Sequence, residues 1–229
     1  MGASLSLYAG AVTTTQHSRP RARNLRGQGA KLKSDIVAAA GRLLDETGNP
    51  DAVTLRAVAR KVGVAAPSIY AHFPDREAIL QAVIDEGFLQ LQTDMEAARA
   101  ARIGPVDKIM AGLRAFLHFA RARPARYAVM LGRPGSLELQ PEPSRGIDDP
   151  ATFAFRSLVT AIEDCVRDGR SVSSDSHRDA TALLVAIHGY ALLRPTRPTF
   201  PWPPEEELVT YLITTLAGIT PSETQDAPR

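Results

Sequence analysis

The chain has 229 residues, of which 44% are hydrophobic, 23% charged and 6% aromatic, with 16 glycines, 17 prolines and one cysteine. That apolar share supports a buried core and excludes a largely disordered chain. A lone Cys165 excludes a disulfide framework and any multi-cysteine metal site, and no run approaches the 18 apolar residues of a membrane span. With no charged n-region ahead of a weakly apolar start, no signal peptide is expected, and the lone cysteine fits a reducing, cytoplasmic compartment. The net charge of +2 conceals an asymmetry: residues 1–77 carry 11 Lys/Arg against 6 Asp/Glu, and residues 1–34 carry six bases and no acid. Such a front suits an anionic partner.

In chain order, residues 1–29 are rich in Gly, Ser, Thr, Arg and Pro and lack periodicity. They read as a disordered basic arm bearing Arg19, Arg21, Arg23 and Arg26. From Lys31 the pattern is helical: Ile36, Val37, Ala40, Leu43 and Leu44 share a face until Gly48-Asn49-Pro50 stops them. Thr54 caps a short helix carrying Leu55, Val58, Ala59 and Val62, ended by Gly63; a second short helix covers about 65–71. Pro74-Asp75 opens a long helix with Ile79, Leu80, Val83, Ile84, Phe88, Leu91 and Met95 on one stripe, ending near Gly104-Pro105. A further helix runs to Pro124, and a brief one covers about 125–131. Residues 132–150, rich in proline and glycine, form the longest internal loop. Helical pattern returns at 151–168, 177–193 and 204–218, with the proline-rich 195–204 as a stiff extended connector. No segment alternates with period two, so the chain is expected to be all-α with about nine helices. The expected division is an arm (1–29), a domain containing the short helices (30–80), an α-helical body (81–220) and a disordered tail (221–229).

Residues 54–76 meet the demands of a helix-turn-helix. Gly63 supplies positive φ at the turn, Ala59 four residues earlier permits close approach, and Val58, Val62, Val64 and Ile69 fill the inward positions. Outward, Thr54 and Arg56 mark the first helix, and Ala65, Ala66, Pro67 and Ser68 begin the second, whose N-terminal end is expected to enter the major groove. Tyr70, His72 and Arg76 follow as hydrogen-bond donors suited to phosphate. Direct base readout is confined to methyl contacts with thymine from Ala65 or Ala66 and hydrogen bonds from Ser68.

This stretch resembles the TetR family of bacterial transcription regulators. The resemblance rests on Thr54, Ala59, Gly63, Val64 and Leu80, and on Ser68-Ile69-Tyr70-Ala71-His72-Phe73 followed by Arg76, within about residues 32–80. Arg76 stands where the family more often has lysine, and Pro74 replaces a more usual polar residue. The resemblance implies a homodimer joined through its last two long helices, an inverted-repeat operator, and repression relieved by a small molecule. Ile187-His188-Gly189-Tyr190 is similar to a His-Gly pair in the penultimate helix of some branches.

Candidate ligand-lining residues are Phe88, Met95, Met110, Phe116, Phe119, Tyr127, Met130, Phe153, Phe155 and His188, all of which also suit a plain helical core. Candidate interface residues are Leu184, Ile187, Gly189, Leu208, Leu212 and Thr215. No nucleophile elbow, zinc-protease motif, phosphate loop or dinucleotide fingerprint is present, and the five histidines lack metal spacing. Neither an enzyme, a cofactor nor a metal is expected. The alternative is a DNA-binding regulator without a small-molecule effector, controlled by a partner protein.

Overall fold

The computed structural model describes residues 28–132 and 150–221. Its elements are α1 (Gln28–Thr47), a 3-10 turn (Pro50–Ala52), α2 (Leu55–Val62), α3 (Ala66–Tyr70), α4 (Arg76–Ala100), α5 (Pro105–Ala122), α6 (Pro124–Gly132), α7 (Pro150–Arg167), α8 (Ser176–Thr196) and α9 (Glu205–Ala217). Among the described residues the only β pairing is an isolated bridge between Ser171 and Ile219. The all-α expectation holds.

Local chemistry sets these boundaries. Asp75 caps α4 by accepting the Ala78 N–H at 2.7 Å, and Asp175 caps α8 by accepting from Arg178 at 2.9 Å. Three body helices, α5, α6 and α7, begin on a proline, whose missing N–H costs nothing at a first helical position.

Two hydrophobic cores follow. One joins α1 to α3 and the start of α4 through Ile36, Leu44, Val58, Ile69, Phe73 and Ile79. The other fills the body through residues such as Leu113, Phe119, Ile162, Leu183 and Ile213. Helix α4 belongs to both, with Leu80 and Val83 in the first and Ile84 and Leu91 in the second. At 25 residues it is a strut of about 37 Å at 1.5 Å per residue, linking the two units.

Three boundaries differ from expectation. Helix α1 begins at Gln28, so its first turn takes residues assigned to the arm; a methyl group at Gly29 would lie 3.8 Å from His72. Helix α8 runs through Pro195 to Thr196, and residues 197–200 then form a turn in which the Phe200 N–H reaches the Arg197 carbonyl at 3.2 Å, so 195–200 is not the extended connector expected there. The α4 start is one step later than the Pro74-Asp75 reading, because Asp75 is the cap. Residues 1–27, most of the 132–150 loop and the tail from 222 lie outside the described residues.

Candidate DNA-contacting surface and ligand cleft

Thr54 Oγ1 accepts the Ala57 N–H at 3.2 Å, capping α2 while its own hydroxyl proton stays available to an acceptor. Gly63 has φ +80°, and its N–H and that of Val64 both reach the Ala59 carbonyl, at 2.9 and 3.0 Å. This closes the turn and aims α3 across α2. Val58, Ala59, Ile69 and Phe73 are buried beneath the pair. On the other side Arg56, Arg60, Ala65, Pro67 and Tyr70 are exposed, with Ala66, Ser68 and His72 half-buried between them. Tyr70 is 60% exposed. Lys61 is held on Glu46 at 2.6 Å and fastens α2 to α1.

Arg76 departs from its expected role. Its guanidinium donates to the Pro50 carbonyl at 2.7 Å, to Asp51 at 2.9 Å and to Glu77 at 2.9 Å. It ties the start of α4 to the 3-10 turn instead of standing free for phosphate. The partner Asp51 is 25 residues upstream, a pairing with no local signature. Arg60, one α-helical turn after Arg56, was missed as a candidate although i, i+4 spacing places both on one exposed face.

The unforeseen residue is Arg126 on α6. It is buried, bonds Asp45 of α1 at 2.7 Å, and lies 4.0 Å from Glu86 of α4. Gly41 leaves room for it: a methyl group there would overlap the guanidinium. The next residue, Tyr127, points the other way, into a hydrogen bond with His188 Nδ1. Phe116 closes this cluster edge-on, 5.6 Å from Tyr127 and 5.0 Å from His188. Burial pushes the His188 pKa down to about 4 and raises that of Tyr127, so both are neutral at ordinary pH.

His188 lines a cleft of about 400 Å³ with Ala128 and Leu131 of α6 and with Thr181, Leu184 and Leu192 of α8. Of the other ligand candidates, Met110, Phe116, Phe119, Tyr127, Met130 and Phe155 are buried core, and Phe88 and Met95 pack half-buried against it. The Phe153 side chain lies outside the described residues.

Of the interface candidates, Ile187 is removed: it is 2% exposed and packs inside its own subunit. The outward face of α8 is instead Val185, Gly189, Leu192 and Leu193, of which Val185 and Leu192 also border the cleft, and a methyl group at Gly189 would meet open space. Leu184 faces the cleft. On α9, Leu208 and Leu212 are half-buried while Tyr211 and Thr215 are exposed, a continuous i, i+3, i+4, i+7 stripe.

Two family profiles match the chain: "Bacterial regulatory proteins, tetR family" over residues 36–83 and "Tetracyclin repressor-like, C-terminal domain" over 109–216. Together they take in most of both cores. The chain belongs to the TetR family. An HTH-type transcriptional regulator of Mycobacterium tuberculosis is 25% identical over 134 residues, 57% of each chain, so the match spans little more than half of that relative. A Rhodococcus sp. RHA1 protein of unknown function superposes with a TM-score of 0.68 at 24% identity, over 88% of this chain and 99% of that one. A TetR/AcrR-family regulator from Thermobifida fusca gives a TM-score of 0.58 at 19% identity, over 82% and 97%. Both structures share the fold of this chain. No described helix is long and apolar enough to cross a membrane, and no described group of side chains is arranged to hold a metal ion.

Proposed function

We propose that this TetR-family chain is a DNA-binding transcription regulator, acting as a homodimeric repressor that leaves an inverted-repeat operator when a small apolar ligand enters the α6–α8 cleft. The observation that carries the reading is the α2–α3 pair, buried on its inner side and exposed on its outer one. Arg56, Arg60 and Tyr70 have no hydrogen bond or ion pair among the described residues, which leaves them for phosphate oxygens. Ala65 and Ala66 offer methyl groups to thymine, and Ser68 adds a hydrogen bond.

Coupling is supported by consecutive residues of α6. Tyr127 answers to His188 at the cleft, and Arg126 answers to Asp45 in the DNA-contacting domain and Glu86 on the strut. A ligand that displaces His188 or Leu131 shifts α6, and with it the anchor of α1 and α4. In a dimer this changes the separation of two α3 helices, which must be about 34–36 Å to enter successive major grooves. A coupling free energy of about 1–3 kcal/mol suffices to change occupancy.

The test is operator capture from genomic fragments, followed by titration of the captured sequence. Tyr70→Ala and Arg56→Ala should each weaken binding about tenfold or more, and Arg56→Ala should also flatten the salt dependence, while both keep the parent's melting temperature. If both variants bind like the parent, α2 and α3 are not the DNA-contacting elements.

A further inference from the structure

A second cleft, of about 340 Å³, opens where the last turns of α5 and α8 meet the first residues of α6 and α9. It shares no residue with the α6–α8 cleft. Tyr190 and Trp202 wall it, their rings edge to face at 5.5 Å. The Trp202 indole already donates to the Arg197 carbonyl at 3.0 Å, so it has apolar surface and no free donor for an occupant. Two guanidiniums and one carboxylate line the same space. Arg121 is matched by Glu205 at 2.8 Å. Arg194 donates to the Tyr190 hydroxyl and lies over that ring, and it meets no carboxylate among the described residues. The cleft therefore combines two aromatic walls with one uncompensated planar cation.

We propose that this cleft binds a small aromatic or branched-alkyl monocarboxylate, with its apolar body against the wall formed by Tyr190 and Trp202 and its carboxylate on Arg194. A guanidinium presents paired donors that match a carboxylate edge, and it is strongest where apolar neighbours exclude water. A second anionic group on the ligand would meet Glu205, and a cation would meet Arg194. The volume sits at the small end of the roughly 300–1,000 Å³ usual for ligand pockets.

Trp202 is the only tryptophan in the chain, so its emission reports on the cleft directly. The full chain is titrated with 4-isopropylbenzoate, and with 4-isopropylbenzyl alcohol and 4-isopropylbenzylamine as uncharged and cationic counterparts, following Trp202 emission and heat. The carboxylate should bind once per chain, shift the emission, and bind at least tenfold more tightly than either counterpart. Arg194→Met keeps the packed stem and should lower the carboxylate to the level of the alcohol. Pro198→Glu, at an exposed position on the cleft wall, should do the same by occupying Arg194. Equal binding of the three probes, binding without an emission change, no binding at millimolar probe, or a preference that survives both substitutions overturns the proposal. An emission that changes with protein dilution instead of with probe also overturns it, because a second copy of the chain would then occupy the cleft. No readout involves DNA, so these results stand whether or not the operator reading holds.

Discussion

A guanidinium just after α3 can serve the DNA or the fold, and the three oxygens around Arg76 assign it to the fold. Asp51 and Glu77 are largely exposed, so water screens the pairs. Arg76→Ala should cost only about 1 kcal/mol in chemical unfolding, and should weaken operator binding less than Tyr70→Ala does in the same titration. His188 is the opposite case, an imidazole held neutral by burial. Its pKa is near 4 in the fold against about 6.5 in an unfolded chain, so between those values the unfolded state binds more protons. Stability is then unaffected by this group above about pH 6.5 and falls as the pH drops toward 4. Unfolding free energy should decrease by about 2 kcal/mol from pH 7.5 to pH 5 on account of His188 alone. His188→Gln, which keeps a partner for the Tyr127 hydroxyl, should remove that part of the slope; an unchanged slope assigns the protons elsewhere. Cys165 is fully buried with its thiol pushed up to about 11, which removes it from thiolate chemistry at neutral pH.

Helix α6 is nine residues long and reads in sequence as a brief amphipathic piece between two prolines. Its helical character is legible because Pro124 starts it and Tyr127, Met130 and Leu131 follow at helical spacing. Its role is not, because Arg126 pairs with Asp45 across 81 residues and fits only because Gly41 has no side chain, while Gly87 makes room for Met130 of the same helix. A methyl group at Gly87 would stand 2.7 Å from the Met130 sulfur. Arg126→Met should destabilise by about 1–3 kcal/mol, since it removes a charge-assisted bond and leaves Asp45 without its partner. Combined with Asp45→Asn in a double-mutant cycle, an interaction of about 1 kcal/mol or more is expected. A cycle that sums to zero would mean that α6 is not energetically joined to α1 through this pair.

At the scale of the assembly, the outward α8 and α9 faces present Val185, Gly189, Leu192 and Leu193 beside Tyr211, Leu212 and Thr215. In the homodimer proposed above, a second copy of the chain would cover this face in a four-helix packing, with Gly189 allowing close approach. Leu212→Glu should give monomers in sedimentation that have lost high-affinity operator binding although α2 and α3 are intact. A dimeric, fully competent Leu212→Glu protein would remove α9 from the interface. Deleting residues 1–27 takes away four arginines and no acid. The truncated chain should melt as the parent does and show weaker non-specific binding with a flatter salt slope. A large fall in melting temperature would instead make the arm part of the fold.

The sequence by itself determined whatever depends on neighbours within a turn or two. Helical periodicity, the Thr54 cap, the Gly63 turn and the spacing from Ala59 to Phe73 identify the helix-turn-helix, because its constraints all lie within some twenty residues. The same locality explains the errors: a periodic apolar face predicts that Ile187 is buried but not against which chain. Only the tertiary structure decided which charges meet. It bound Arg76 to the turn, placed Arg126 between the two cores, and left Arg194, among the described residues, without a carboxylate beside two aromatic rings. Charge pairs and clefts are made by segments that are distant in sequence, and their partners are chosen by how whole helices pack.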